Sequence, residues 1–248
     1  MTTEVQASNS SEAKRGQAIR VGLVVPASNT VMENDLHRGL PASYTVLTGR
    51  MYLAETTREA EIKMIEEYAP RAAADVGTAN PDILVFGCTS AGSLFGLDYD
   101  AKVCRELGAK AGCAGMGVIS SVADALTRHG IRRLAVITPY NEDLTKAVAA
   151  AASAPKREIV AAHGMGITVN VKLADPTPDE IVAFARARLD GTKFDGLFVS
   201  CTNFRALDAK PQLERALGVP VVTSNSAVIE AIRRRFEKKT GPAIGAGD

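Results

Sequence analysis

A chain of 248 residues with 46% hydrophobic and 23% charged side chains has an ordinary globular composition and can bury one α/β core or two lobes of about 100 residues each. Its 29 basic and 28 acidic residues leave a net charge of +1, so no long-range field draws it to nucleic acid or to an anionic membrane, and the expected partner is a small molecule. Four cysteines, Cys88, Cys104, Cys113 and Cys201, lack CxxC spacing, which argues against zinc and disulfides and for a reducing, cytoplasmic compartment.

In chain order, residues 1–18 are rich in Ser, Thr, Glu and Gln and lack the apolar core of a secretory signal, so they read as a disordered tail. Apolar runs of buried-strand length follow at Val21–Val25, Tyr44–Leu47, Ile83–Phe86, Val118–Ile119, Leu134–Ile137, Ile159–Ala162, Leu197–Val199 and Val219–Val222. Between them lie stretches of helical composition at Glu59–Val76, Ala101–Ala111, Val122–Thr127, Leu144–Ala152, Pro178–Leu189, Pro211–Leu217 and Ala227–Phe236. The last ends in Arg233-Arg-Arg235 with Lys238 and Lys239, cations suited to the negative end of a helix dipole. Strands alternating with helices predict parallel sheets covered on both faces.

An internal repeat organises these elements. Arg20-Val-Gly-Leu-Val-Val-Pro26 matches Arg133-Leu-Ala-Val-Ile-Thr-Pro139, and Asp82-Ile-Leu-Val-Phe-Gly-Cys-Thr89 matches Asp195-Gly-Leu-Phe-Val-Ser-Cys-Thr202, both at an offset of 113. The second strands, around Tyr44–Leu47 and Arg157–Val160, share it. The fourth do not: Val118-Ile-Ser-Ser121 resembles Val221-Val-Thr-Ser224 at an offset of 103, which predicts a ten-residue deletion in the second half. The expected architecture is α/β, with two similar parallel-sheet lobes related by a pseudo-two-fold duplication and a site in the cleft between them. Residues 19–120 with 224–240 would form one lobe, 121–223 the other, and 241–248 a C-terminal tail.

Ligands of parallel sheets bind outside the carboxyl ends of the strands. Cys88 and Cys201 each follow a buried strand there, and each is followed by Thr89-Ser90 or Thr202-Asn203, hydroxyl and amide groups beside the sulfur. A thiolate is a nucleophile or base once N–H dipoles lower its pKa, although a free cysteine is also a common core residue, as expected for Cys104 and Cys113. Ser28, Asn29 and Thr30 after the first strand can donate to a carboxylate or cap a helix. Tyr140, in the matching Pro139-Tyr140-Asn141 turn, offers a phenol, and Asn170 an amide, after the strand of their half.

His37, His129 and His163 form no ligand motif, so no metal is expected; His129 suits a helix end and His163 a strand end. No glycine-rich phosphate loop follows a strand, so no nucleotide cofactor is expected.

With these residues in view, the chain resembles the maleate cis-trans isomerase family of the aspartate/glutamate racemase superfamily over about residues 19–236. Pro26-Ala-Ser-Asn-Thr-Val-Met-Glu33 is similar to that family's Pro-Ser-Ser-Asn-Thr-Thr-Met-Glu segment, Pro139-Tyr140 to its Pro-Tyr turn, and Cys88 and Cys201 fall at its two cysteine positions. The resemblance implies a cofactor-independent isomerase, a homodimer or homotetramer, in which Asn29, Tyr140 and Asn170 orient a cis-enedioate. Cys88 would add to the alkene and Cys201 assist. The polar Cys88-Thr-Ser-Ala and Cys201-Thr-Asn-Phe-Arg205 surroundings also look like those of two-cysteine racemases and of proteins of ectoine breakdown, so an amino acid or its derivative is a second substrate class, with Arg205 a candidate for its carboxylate. A non-enzymatic small-molecule binding protein with two similar lobes is a further alternative. Arylmalonate decarboxylases keep the second cysteine but have glycine at the first, where this chain has Cys88, which ranks decarboxylation third.

Overall fold

The computed structural model describes residues 18–237. The predicted tails, save Ala18, lie outside the described residues, as do Lys238 and Lys239. Strands β1 (Ile19–Pro26), β2 (Tyr44–Met51), β3 (Ile83–Phe86) and β4 (Gly115–Gly117) form one parallel sheet in the order β2-β1-β3-β4. A second parallel sheet, β6-β5-β7-β8, is made of β5 (Arg133–Thr138), β6 (Glu158–Gly164), β7 (Gly196–Val199) and β8 (Val221–Thr223). The second order repeats the first with every strand four places on, the topology of a duplication.

Strand periodicity decides which core each residue joins. On β1, Val21, Leu23 and Val25 enter a core that runs through both halves and includes Val136, Phe198 and Ile232, whereas Val24 faces a second core with Met51, Met64, Phe86 and Leu107. One continuous apolar layer therefore joins the two sheets. Among the described residues no helix is long and apolar enough to cross a membrane.

Helices α1 (Met32–Gly39), α4 (Thr89–Ser93), α6 (Val118–Arg128), α7 (Glu142–Ala152), α9 (Ala206–Leu217) and α10 (Ser224–Glu237) lead from or toward the strand ends, and α8 (Pro178–Leu189) packs beside α9. The predicted helix at Glu59–Val76 is continuous but not uniform: α2 (Arg58–Lys63) passes through a π turn at Met64–Tyr68 into α3 (Ala69–Gly77). α10 lies against α1 and α6. His129 sits at the C-terminal cap of α6, where its N–H bonds the Ala125 carbonyl.

Two expectations about the fourth strands are corrected. Val118 and Ile119 begin α6, and the strand is the preceding Gly115-Met-Gly117. Buried β-branched residues at a helix start have the same composition as a buried strand, and glycines hide the true strand. They are there because α5 (Leu97–Lys110) closes on β4 backbone to backbone: a Cβ at Gly115 would overlap the Cys104 carbonyl. The register also changes the deletion. Leu84 and Leu197, 113 apart, pair with Gly115 and Val221, which are 106 apart, so the second half is shorter here by seven residues and not ten.

Gly115→Ala should therefore destabilise the protein by about 3 kcal/mol, because the obstructing atoms are backbone and cannot rotate away. A urea unfolding midpoint unchanged from that of the parent would show that α5 is free to shift.

Candidate active site

The segments that leave the carboxyl ends of β1, β3, β5, β6 and β7 bring the predicted residues together in the interior. Cys88, Cys201, Tyr140, Asn29 and Asn170 are each at most 4% exposed, and Thr89, Ser90, Thr202 and Asn203 are equally buried; only Ser28 is half-buried. Cys88 is the residue before α4 in extended conformation (φ −135°), which turns its sulfur back over the first N–H groups of that helix. The Ala91 N–H and the Ser90 hydroxyl, 3.7 Å away, both contact Sγ.

Cys201 reaches an equivalent setting by a different backbone. Its φ of +98° is a conformation that non-glycine residues rarely hold, at a cost of about 1–3 kcal/mol. Its N–H is anchored on Ser224 Oγ at 3.0 Å, the Asn203 N–H donates to its sulfur at 3.2 Å, and the Tyr140 hydroxyl bonds the same sulfur. Each thiol thus has one backbone N–H and one hydroxyl. Burial raises both pKa values, that of Cys201 to about 12 and that of Cys88 further, so both rest as thiols at neutral pH.

The remaining predicted residues tie the two halves together. Asn29 Nδ2 donates to Thr202 Oγ1 at 3.0 Å while its Oδ1 accepts from the N–H groups of Val31 and Met32, so it caps α1 and faces the other half at once. Asn203 Oδ1 accepts from the Thr30 N–H at 2.8 Å, and its Nδ2 donates to the Asn170 carbonyl at 2.7 Å. Thr89 donates to Ser224 Oγ and Thr202 to the Gly87 carbonyl. Asn170 Nδ2 donates to Ser28 Oγ at 2.6 Å, and Ser28 in turn donates to the Leu53 carbonyl.

A strap closes the outer side. The segments after β2 and β6 pair across the pseudo-two-fold through an antiparallel bridge between Glu55 and Val169, with the Thr56 N–H on the Thr168 carbonyl and the Asn170 N–H on the Ala54 carbonyl.

Other candidates lie elsewhere. The Arg205 side chain is 43% exposed and pairs with Asp208 at 3.9 Å in an outer groove with Thr30, Asn34 and Arg38. His163 lines a separate depression beside Glu142 and Arg188. Cys104 is a core residue whose thiol faces Asp100, and Cys113 is half-buried at the edge of that core. Among the described residues, no group of three or more His, Cys, Asp or Glu side chains could hold a metal.

Sequence reasoning missed Glu61. It lies on α2 at 0% exposure, neither carboxyl oxygen has a hydrogen-bond partner of good geometry, and its charge acts on Cys88, Cys201 and Tyr140. Burial raises its pKa to about 7, against the smaller opposing effects of the Ser90 hydroxyl and Arg58. Nothing in Arg58-Glu-Ala-Glu61 distinguishes this glutamate from its exposed neighbours except its place one turn before a π turn. The signal is tertiary.

An acid whose folded pKa lies above its unfolded value binds more protons when folded, so it weakens the fold as pH rises from about 4.5 to about 7 and keeps the full cost above that. Glu61→Gln should therefore leave stability near its parent value at pH 4.5 and gain up to about 3 kcal/mol at pH 8. Urea melts at the two pH values measure it, and a pH-independent difference would mean that Glu61 does not titrate in this range.

Comparison with known proteins agrees with the two-sheet fold. The chain is 26% identical over 235 residues to the maleate isomerase of Geobacillus stearothermophilus, covering 89% of this chain and 93% of that protein. The crystal structure of the maleate isomerase Iso from Pseudomonas putida superposes with a TM-score of 0.83 at 22% identity, covering 89% and 94% of the two chains. A cysteine-to-serine variant of the maleate cis-trans isomerase of Nocardia farcinica, solved with a covalently bound succinylcysteine intermediate, superposes with a TM-score of 0.80 at 23% identity, covering 89% and 93%. The family model described as arylmalonate decarboxylase matches residues 21–247, nearly the whole sequence, and the chain belongs to that family.

Proposed function

We propose that the protein is a cofactor-independent cis-trans isomerase of a small cis-enedioate, of the maleate-to-fumarate type, acting by covalent cysteine catalysis. The observation that carries the reading is the pair of buried thiols, one from each half, each beside neutral hydrogen-bond donors. The succinylcysteine captured in the Nocardia farcinica relative is the kind of adduct this chemistry forms. In this reading the cleft lies between residues 19–120 with 224–240 and residues 121–223. The compartment is the reducing cytoplasm, which keeps both thiols free, and the protein is a homodimer or homotetramer.

Cys88 passes its thiol proton to a carboxylate of the incoming substrate and adds, as thiolate, to one alkene carbon; the proton returns to Cys88 when the sulfur leaves. The C–S bond forms, the π electrons move to the neighbouring carbon and its carboxylate, and the former double bond becomes a single bond free to rotate. Expulsion of the sulfur restores the alkene as the trans isomer, with no net change in atoms or electrons. Cys201, bonded to Tyr140, supplies a proton to the carbanion and takes it back. Asn29, Ser28, Tyr140, Asn170, Thr89, Ser90, Thr202 and Asn203 hold the two carboxylates by neutral donation, releasing some of the bonds they now make to one another.

A second reading has one specific observation in its favour. Both thiols have equivalent surroundings, which suits a two-base racemase in which each faces one side of a Cα–H bond. Decarboxylation would leave Cys88 without a role.

Proton NMR of the protein with maleate should show fumarate forming. Cys88→Ser and Cys201→Ser should each lower kcat/KM by about 10³-fold or more, and Tyr140→Phe by about 100-fold. Full activity in either cysteine variant would overturn the covalent mechanism. Deuterium appearing at Cα of an amino acid, with maleate untouched, would establish the racemase instead.

A further inference from the structure

Glu61 has no place in the mechanism above, and its position demands one. A side chain at 0% exposure with neither carboxyl oxygen in a hydrogen bond of good geometry is costly to fold, and the Ser90 hydroxyl and Arg58 offset only part of that cost. Its helix α2 packs on α4 and runs into the π turn, and several groups act on its carboxyl or feel its charge. They are Arg58 on its own helix α2, Ser90 and Cys88 at the start of α4, Cys201 after β7, and Tyr140 after β5. Arg58 is drawn away, its guanidinium 4.5 Å over the Phe95 ring. Buried where α2 packs on α4, the helix that Cys88 precedes, the carboxyl lies on the side of the first thiol, toward which a substrate held against the two sulfurs must come.

This position creates a charge conflict. A dicarboxylate brings two negative charges into a sealed site whose named donors are all neutral, and a third negative charge beside them in a low-dielectric interior is strongly unfavourable. A neutral carboxyl removes the conflict, and its O–H becomes the donor that a substrate carboxylate lacks. We propose that Glu61 is a substrate-binding acid: the cis-enedioate binds only with Glu61 protonated, so each binding event takes up one proton from solvent and places the Glu61 O–H against a substrate carboxylate. The inference rests on the dicarboxylate reading. It assigns Glu61 to substrate selection, favouring anionic ligands with an acceptor at this position. It also gives affinity a pH dependence of its own, because Glu61 titrates near neutrality while burial keeps the cleft's two thiols and Tyr140 protonated far above it.

The test uses Cys88→Ser, which binds without turning over. Maleate is titrated calorimetrically at pH 8 in buffers of different ionisation enthalpy, which counts protons directly. Close to one proton should be taken up per maleate bound, and Kd should weaken about tenfold per pH unit between pH 7.5 and 9. In Cys88→Ser/Glu61→Gln, the amide donates without titrating. Proton uptake should fall to near zero, and Kd should become flat over the same range. Circular dichroism of both variants checks the fold. No uptake in Cys88→Ser, while the parent protein converts maleate, overturns the role of Glu61 and leaves the isomerase reading standing. Uptake that persists in the double variant also overturns it, since the proton then goes elsewhere. If the parent neither binds nor converts maleate, the isomerase reading fails and the inference falls with it.

Discussion

The structure depends on a set of short polar bonds that cross between its two halves. Asn29 to Thr202 and Thr30 to Asn203 join strand-end loops of opposite sheets, and Thr89 and Asp35 bond Ser224 and Asn225 at the start of α10, all at 2.8–3.0 Å. All but the part-buried Thr30 bond are buried, so losing one partner there would strand the other without water. These bonds fix how the sheets face each other, and that facing sets the burial of the thiols. Burial then sets their chemistry: the sulfurs are protonated at rest and protected from solvent, and reactivity waits for a ligand to enter.

The same burial explains the choice of donors. A sealed cleft with a fixed cation would bind a dianion tightly in the ground state, whereas neutral hydroxyls, amides and backbone N–H groups can strengthen as charge moves from one carbon to another. The strained backbone at Cys201 belongs to this design. It lets a residue immediately after a strand point its sulfur toward the phenol of Tyr140, and the Ser224 hydroxyl holds the unfavourable φ in place.

Much of this was legible in residue order. The repeat found both sheets, both cysteines and the matched turns, because buried central strands keep their apolar run and strand ends keep their polar motif. The fourth strands were misread because Gly115-Met-Gly117 has no β pattern, while Val118 and Ile119 have one and are helical. Asn29, Asn170, Thr89, Ser90, Thr202 and Asn203 all lie buried, and most serve as clamps within the fold as well as being candidate donors. Arg205 did not reach it, since Asp208 and the outer groove hold it.

The sequence alone determined the duplicated α/β plan and the pairing of Cys88 with Cys201, because a shared offset is a property of the chain and needs no coordinates. Only the tertiary structure decided what surrounds those sulfurs. Whether Glu61 faces water or a sealed cleft depends on how α2 packs against α4, and a carboxylate has no local signature of burial. Its protonation state, and with it the charge of the site, is a consequence of the assembled fold.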